Sequence, residues 1–460
     1  MDGWPLRLSA LFAAVLALLF GGCGSQPERS ASAVALPVAK ADPLEEGVSG
    51  SNWPGFRGVN TSGISADKQV AVSWGPAVGH RWKTRLPGPG NSSPVIWGER
   101  VLLTSAEGAA ERPKLVVLCF DRQQGELLWK TTATSAEGST HDKNGYASAS
   151  VATDGKQVFA FFGAAGLFAL DLEGHELWQR SIGNLDHVWG AASSPVLYEE
   201  TVIQLYDADS GSFIAAFDKQ SGEELWRTPR DSHGSWSTPV LVDAEVDGGA
   251  RRHELVVNGT GTSDAAGGLV IAYDPANGKE LWRAAGTTDI VSPTAIVGAG
   301  LVYSTSGRNG PILAIRPGGT GDVTTSHVVW KHHKGGAYVP TGVAYRNRLF
   351  TISDGGVANC YDAGNGEPIW EGRLGGAFTA SLVAADGRIY ATSEQGTTHV
   401  FAAGDQFELL AKNELHERCL ATPAISRDEI FIRTDEHLYC MGPQSSAATT
   451  AQSGAGQSRR

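Results

Sequence analysis

A tryptophan that returns at nearly constant spacing restricts this chain more than any other feature. Asp121, Gly125 and Trp129 mark a short apolar strand that closes on Asp, a turn through Gly, and a second strand bearing Trp. The unit returns, with small variations, as Asp171…Gly174…Trp178, Asp218…Gly222…Trp226, Asp274…Gly278…Trp282, Arg316…Trp330 with an expanded loop, and Asp362…Gly366…Trp370. Counted from Trp82, the tryptophans step by 47, 49, 48, 56, 48 and 40 residues. Repeats of that length, each holding several short strands, are the blades of a β-propeller.

The units also open alike, with Ser93-Pro94, Ser194-Pro195, Thr238-Pro239, Ser292-Pro293 and Thr422-Pro423, and Pro340-Thr341 as a variant. A turn, a second strand such as 157–162, a third such as 167–171 and then the Trp strand follow, which predicts four strands per blade. The openings count eight units: the seventh is degraded across Phe401 to Leu410, and the eighth stops after three strands at Cys440. Trp74 to Leu86 precedes the first opening, and its Trp82-Lys83-Thr84 matches Trp129-Lys130-Thr131. The expected fold is therefore all-β, an eight-bladed propeller of four-stranded blades in which this N-terminal strand completes the last blade and removes an open sheet edge. Trp82, Trp129, Trp178, Trp226, Trp282, Trp330 and Trp370 are then scaffold, each packing on the next blade and donating its indole N–H to a main-chain carbonyl there.

Composition agrees. Glycine is 58 of 460 residues, well above the usual ~7%, which suits a turn-rich β fold. A formal net charge of −12 with no long basic run argues against a nucleic-acid partner held by a general basic field.

The first 23 residues carry Arg7, an apolar run from Leu8 to Phe20, and Gly21-Gly22-Cys23. The run is short for a bilayer span and reads as an export signal. Small residues before Cys23 resemble a lipobox, in which the cysteine is acylated and anchors the mature protein; an ordinary cleaved signal is the other reading. Residues 24–52 are expected to form a flexible tether, 53–442 the propeller and 443–460 a disordered tail. Trp53-Pro54-Gly55-Phe56-Arg57-Gly58 is too aromatic for a tether and is expected on the outside of the propeller, packed there or as a docking segment.

The Asp…Gly…Trp unit resembles the repeat of the PQQ-binding-like, quinoprotein-type propellers, a family holding both PQQ-dependent dehydrogenases and BamB-like outer-membrane assembly lipoproteins. The resemblance spans roughly residues 70–442. For the dehydrogenase branch it implies PQQ with Ca²⁺, a catalytic Asp and often a vicinal Cys-Cys pair. This chain has neither Cys-Cys nor a Cys-x-x-Cys-His haem motif. The BamB-like branch fits better and implies a monomeric protein-binding scaffold in the bacterial envelope, facing the periplasm, with envelope proteins or peptides as partners, a membrane anchor on Cys23 and no cofactor. The rival reading is a PQQ oxidoreductase using the axial funnel.

Cys119, Cys360 and Cys440 stand where other units have Ala169, Ala216 and Ala272, and read as small core residues. Cys419 is out of that register, either free or paired with Cys440.

The loops that join each Trp strand to the next opening should converge around the axis on one face. Of twelve histidines, His141, His187, His233, His332, His333 and His416 are assigned to these loops, alongside Asp142, Lys143, Asp186, Trp189, Asp231, Trp236, Asp289, Tyr338, Glu417 and Arg418. Three readings fit: turn residues that satisfy main-chain groups, a polar mouth for a peptide, glycan or small ligand with Trp189 and Trp236 as stacking platforms, or metal or quinone chemistry. No His pair has the spacing of a strong metal site. No catalytic residue is assigned. The Gly-rich stretches 261–268 and 318–321 lack the context of a phosphate loop and read as surface excursions.

Overall fold

The computed structural model describes residues 52–442, apart from 110–111, 137–139, 184–186, 188, 247 and 262–266. The leader with Cys23, the tether up to residue 51 and the tail from 443 lie outside the described residues. The rest is eight sheets in a ring, each built on four antiparallel strands and one carrying a short fifth, an eight-bladed β-propeller. Blade 1 comprises Val95–Trp97, Arg100–Glu107, Lys114–Asp121 and Leu127–Ser135, and blade 2 runs from Ala152–Thr153 to Glu176–Arg180. Blades 3 to 7 end on the outer strands Glu224–Pro229, Glu280–Thr287, Val328–Gly336, Pro368–Arg373 and Leu409–Glu414. Blade 8 has Ala424–Ser426, Glu429–Arg433 and His437–Met441, and its outer strand is His80–Arg85, with Trp82 opposite Cys440. Both ends of the ring thus meet in one sheet, as expected.

The repeat explains its own chemistry. Trp82, Trp129, Trp178, Trp226, Trp330 and Trp370 donate their indole N–H groups to the carbonyls of Arg122, Leu172, Lys219, Pro275, Ala363 and Gly404 in the following blade. Directly across the sheet from each repeat Trp stands a small residue, Cys440, Cys119, Ala169, Ala216, Ala272, Ala314 or Cys360, which leaves room for the indole. Cys119, Cys360, Cys419 and Cys440 are all buried free thiols, so Cys419 does not pair with Cys440. Burial pushes the thiols of Cys119, Cys360 and Cys419 up to about 12, away from thiolate chemistry at neutral pH.

Trp282 departs from the pattern. Blade 5 has the expanded loop in place of the Gly turn, and the Trp282 indole bonds the buried Glu254 carboxylate of its own blade at 2.7 Å. That loop adds a fifth strand, Gly321–Asp322, parallel to the outer strand of blade 4. In blade 7, Ala411 stands where Trp is expected, opposite Val400, and the buried Trp74 packs in the same cluster.

The turn glycine has two duties. At Gly174 φ is 88°, and an added Cβ would lie 2.6 Å from the Trp129 ring of the preceding blade. Gly174→Ala is expected to lower stability by about 2–3 kcal/mol in urea unfolding, because strain and a displaced indole add. Gly98→Ala is the control. It has φ of 56° but open space around its Cβ, and it should lose only about 1 kcal/mol.

Segment 53–65 corrects an expectation. It does not lie on the outside but crosses the axis beneath the inner strands. Trp53 exchanges main-chain hydrogen bonds with Ile96 of blade 1 (2.8 and 2.9 Å), the Pro54 carbonyl accepts from Thr153 of blade 2, and Gly63 and Ser65 bond Ala384 of blade 7. Between them Arg57, 1% exposed, gives its guanidinium to the carbonyls of Thr61, Ser62, Thr341, Gly342 and Leu382. Gly58 lets the segment fold back on itself: φ is 75°, and a Cβ there would strike the Trp53 ring at 2.8 Å. The crossing segment plugs the central channel.

Candidate functional site

A ring of hydroxyls surrounds the axis above this plug. The backbone N–H of Ser93 donates to Ser150 Oγ, Ser150 to Ser194, Ser194 to Thr238, Thr238 to Thr294, Thr294 to Thr341, Thr341 to Ser381, Ser381 to Thr422, and Thr422 back to Ser93, at 2.9–3.2 Å. Each blade contributes one residue from its opening, so the Ser/Thr-Pro pattern has a mechanical meaning: it stitches the inner strands into a closed belt. The register is set by the hydroxyl and not by proline. In blades 5 and 6 the member is Thr294 or Thr341, directly after Pro293 and Pro340.

All of the ring except Ser150 lines a cavity of about 790 Å³ that opens on the loop face. Phe56, from the plug segment, lies on its floor, and Trp189, Trp236 and Tyr338 form an aromatic wall with Trp189 still 50% exposed. The two indoles are 5.9 Å apart, and Trp236 donates to the Gly190 carbonyl at 2.9 Å. The polar groups include His141, Lys143, Asn91, Asn144, Arg308, Asn309, Ser353 and Asp354. Arg308 lies over the Tyr338 ring at 4.7 Å, and the Tyr338 N–H donates to Asp354. Burial raises the Asp354 carboxyl above the usual range, partly offset by main-chain donors and the Arg308 charge.

The loop joining blades 1 and 2 roofs part of the mouth. Asn144 reaches the Trp189 and Gly190 carbonyls on one side; on the other, Lys143 pairs with Glu394 at 2.7 Å and Arg418 donates to the Asp142 carbonyl at 3.1 Å.

Of the residues assigned to the funnel from sequence, His141, Lys143, Trp189, Trp236 and Tyr338 line the cavity, and Asp142 and Arg418 meet at its rim. His187 is buried behind Trp236, ring centroids 5.0 Å apart, with Nδ1 3.6 Å from Asp209. Asp231, His233, Asp289 and His416 are exposed outside the cavity lining, and His233 offers its carbonyl to Thr260. Asp186 lies outside the described residues.

Two assignments are corrected. His332 and His333 are not in a loop but on the outer strand of blade 5, Val328–Gly336. His332 stands two residues after Trp330 and bonds the Gly366 carbonyl at 2.7 Å. Thr84, Thr131 and Thr228 do the same for Gly125, Gly174 and Gly278, so His332 is a repeat residue. Of the residues missed by sequence reasoning, Asn91 and Asn144 flank the blade openings, and Arg308, Asn309, Ser353 and Asp354 sit in the turns between second and third strands, which share the loop face. The Gly/Asp-rich turns SGRNG and SDGG were the available signal.

Glu417 closes the ring instead of facing the funnel. Its carboxylate accepts from Thr434 (2.6 Å), Tyr439 (2.6 Å), Lys83 (2.9 Å) and His437 (2.9 Å), tying the N-terminal strand to blade 8. Burial opposes the charge, but these four bonds outweigh it and pull the carboxyl down to about 2. A carboxyl lowered in the folded state stabilises above its unfolded pKa of about 4.3, and that contribution is lost as pH falls from about 5 through 2. Glu417→Gln should cost about 1–2 kcal/mol at pH 7, after allowance for solvent screening, and should flatten stability against pH in that window, read by urea unfolding from pH 7 to 2.5.

Among the described residues no group of three His, Cys, Asp or Glu is placed to hold a metal ion, and Asp354 is the one carboxylate among the cavity-lining residues. Toward a quinone held by Ca²⁺ the described cavity residues thus offer one carboxylate beside the amides of Asn91, Asn144 and Asn309.

A tryptophan-docked eight-bladed propeller with a plugged axial funnel defines the class: a PQQ-like repeat propeller. Residues 47–206, 210–322 and 319–434 match the family described as outer membrane protein assembly factor BamB, and the chain belongs to that family. A curated relative, outer membrane protein assembly factor BamB of Burkholderia pseudomallei, is 26% identical over 232 residues, covering 49% of this chain and 52% of the relative. The chain thus spans about half the length of that relative. Similar folds include a europium-containing methanol dehydrogenase (12% identity, TM-score 0.64, 86% of this chain and 99% of that one). The quinohemoprotein alcohol dehydrogenase from Comamonas testosteroni gives 13% and 0.64 over 88% and 84%. BamB from Moraxella catarrhalis gives 14% and 0.57 over 79% and 99%. At such identities these likenesses concern the fold alone.

Proposed function

We propose that the protein is exported, acylated on Cys23 and tethered in the cell envelope, where the periplasm-facing propeller serves as a protein-binding scaffold in outer-membrane protein assembly. The carrying observation is the family match running along 47–434, through all eight blades. A propeller suits the role: its belt of hydroxyls and interlocked tryptophans keeps the body rigid while the loops supply adaptable surface. The test is recovery of the full chain from detergent-solubilised envelopes after in vivo crosslinking. Outer-membrane assembly proteins should copurify, and Cys23→Ser should move the protein from the membrane to the soluble fraction. A chain that copurifies with none of them overturns the scaffold reading.

The oxidoreductase reading draws on the likeness to the two dehydrogenases, and the absence of a three-ligand group among the described residues weighs against it. Calorimetric titration of the full chain with PQQ, with and without Ca²⁺, separates the two: Ca²⁺-dependent micromolar binding would favour the enzyme.

A further inference from the structure

We infer that the funnel is a blind receptor for the C-terminal carboxylate of an extended apolar peptide, with the hydroxyl ring as its anion seat and the Trp189–Trp236 wall as the platform for the last side chains. The inference rests on the scaffold reading and names the part of a partner that the funnel takes.

The floor is built to receive negative charge. Each ring hydroxyl oxygen already accepts an N–H from the neighbouring blade, and none finds an acceptor for its own proton among the described residues. Seven of these residues line the same cavity. Directly beneath lies Arg57, a fully buried cation whose partners are all main-chain carbonyls, with no carboxylate among them. Burial lowers its pKa to about 9, so it keeps its charge at neutral pH. A second buried guanidinium, Arg433, donates to Ser92 and Thr104 beside the ring, again with no carboxylate as a hydrogen-bond partner. In a chain of net charge −12, this is a local cationic floor in a low-dielectric cup, where an anion gains most.

The shape selects a chain end. The plug closes the channel below Phe56, so an entering polypeptide cannot pass through, and only a terminus reaches the ring. The cationic floor selects the carboxyl end over the amino end, a known mode of peptide capture. A volume of about 790 Å³ holds a few residues, and exposed Trp189 offers a broad apolar face at little entropic cost.

The test is calorimetric titration of the full chain with N-acetylated Ala-Ala-Ala-Phe, Ala-Ala-Ala-Leu and Ala-Ala-Ala-Val as free acids, the same peptides as C-terminal amides, and phenylacetate. The free acids should bind at least tenfold more tightly than their amides and than phenylacetate. Trp189→Ala, at an exposed side chain with no fold cost expected, should weaken the acids at least fivefold. Ser381→Ala, which removes one ring hydroxyl, should weaken the acids more than the amides. Equal binding of acids and amides, or no binding of any acid, overturns the inference, as does an unchanged affinity in Trp189→Ala. Phenylacetate as strong as the peptides would assign the seat to small carboxylates and overturn the terminus reading. None of these outcomes touches the copurification test, so the funnel and the scaffold stand or fall separately.

Discussion

Arg57→Met should lower the unfolding free energy by about 3–4 kcal/mol, with a matching fall in the urea midpoint. Two effects oppose each other. Removing the guanidinium relieves the desolvation of a buried cation, which favours the variant. It also strips the carbonyls of Thr61, Ser62, Thr341, Gly342 and Leu382 of a shared donor in a site that is 1% exposed. Thr341 keeps the Leu382 N–H at 2.9 Å, but the other four carbonyls are left without that donor; each unsatisfied buried carbonyl costs about 1 kcal/mol or more, and four such losses outweigh the relief. The damage should be local first: hydrogen exchange should rise across 53–65 and in the opening strands of blades 6 and 7 before the ring as a whole gives way. A variant within 1 kcal/mol of the parent, with exchange unchanged, would mean that water satisfies these carbonyls and that the floor of the funnel is wet.

Asp207→Asn should cost about 3–5 kcal/mol, the loss expected when one member of a buried ion pair is neutralised. Arg230 and Asp207 are 1% and 0% exposed at their side chains, with Nε 2.7 Å from Oδ1, and Arg230 also donates to the Tyr273 hydroxyl of blade 4. Desolvation works against the Arg230 charge, but Asp207 outweighs it and holds the guanidinium above even the usual arginine range. The same carboxylate accepts from Ser232 and Ser235, at 3.3 and 2.7 Å, in the loop that carries Trp236. Stability and the aromatic wall are therefore coupled. Asp207→Asn should weaken any ligand that depends on Trp236 as well as lowering the unfolding midpoint. Replacing both partners, Asp207→Leu with Arg230→Met, should recover most of the loss in a double-mutant cycle, because no buried charge is then stranded. A single substitution as mild as the double would show that the pair is solvated.

The blades could be read from the chain because each rests on contacts between neighbours in sequence. A Trp and the glycine turn it covers are about one repeat apart, and a small residue must stand opposite each indole, so Asp…Gly…Trp spacing carries blade number, strand order and closure through Trp82. The same logic, carried further, would have placed His332: two residues after a repeat Trp, it does what Thr84 and Thr228 do. The funnel was legible only in part. Loops that leave Trp strands were identified as its rim, which found His141, Lys143, Trp189, Trp236 and Tyr338. The turns between second and third strands face the same way, yet their pattern, Gly and Asp among polar residues, is that of any hairpin, so Arg308 and Asp354 carried no distinguishing mark.

What the sequence determined by itself was the repeating unit, because a period written into the chain dictates identical local packing wherever it recurs. What only the tertiary structure decided was the axis. Arg57 meets Thr341 across 284 residues, Trp53 meets blade 1, and Thr422 closes the hydroxyl belt on Ser93. Arg57 and Trp53 belong to no repeat, and the periodic Ser/Thr-Pro openings carry no mark that their hydroxyls join blade to blade around the axis. A ring brings residues together by rotation about a centre, so the side chains that share its middle are the ones whose separation along the chain says least about their distance in space.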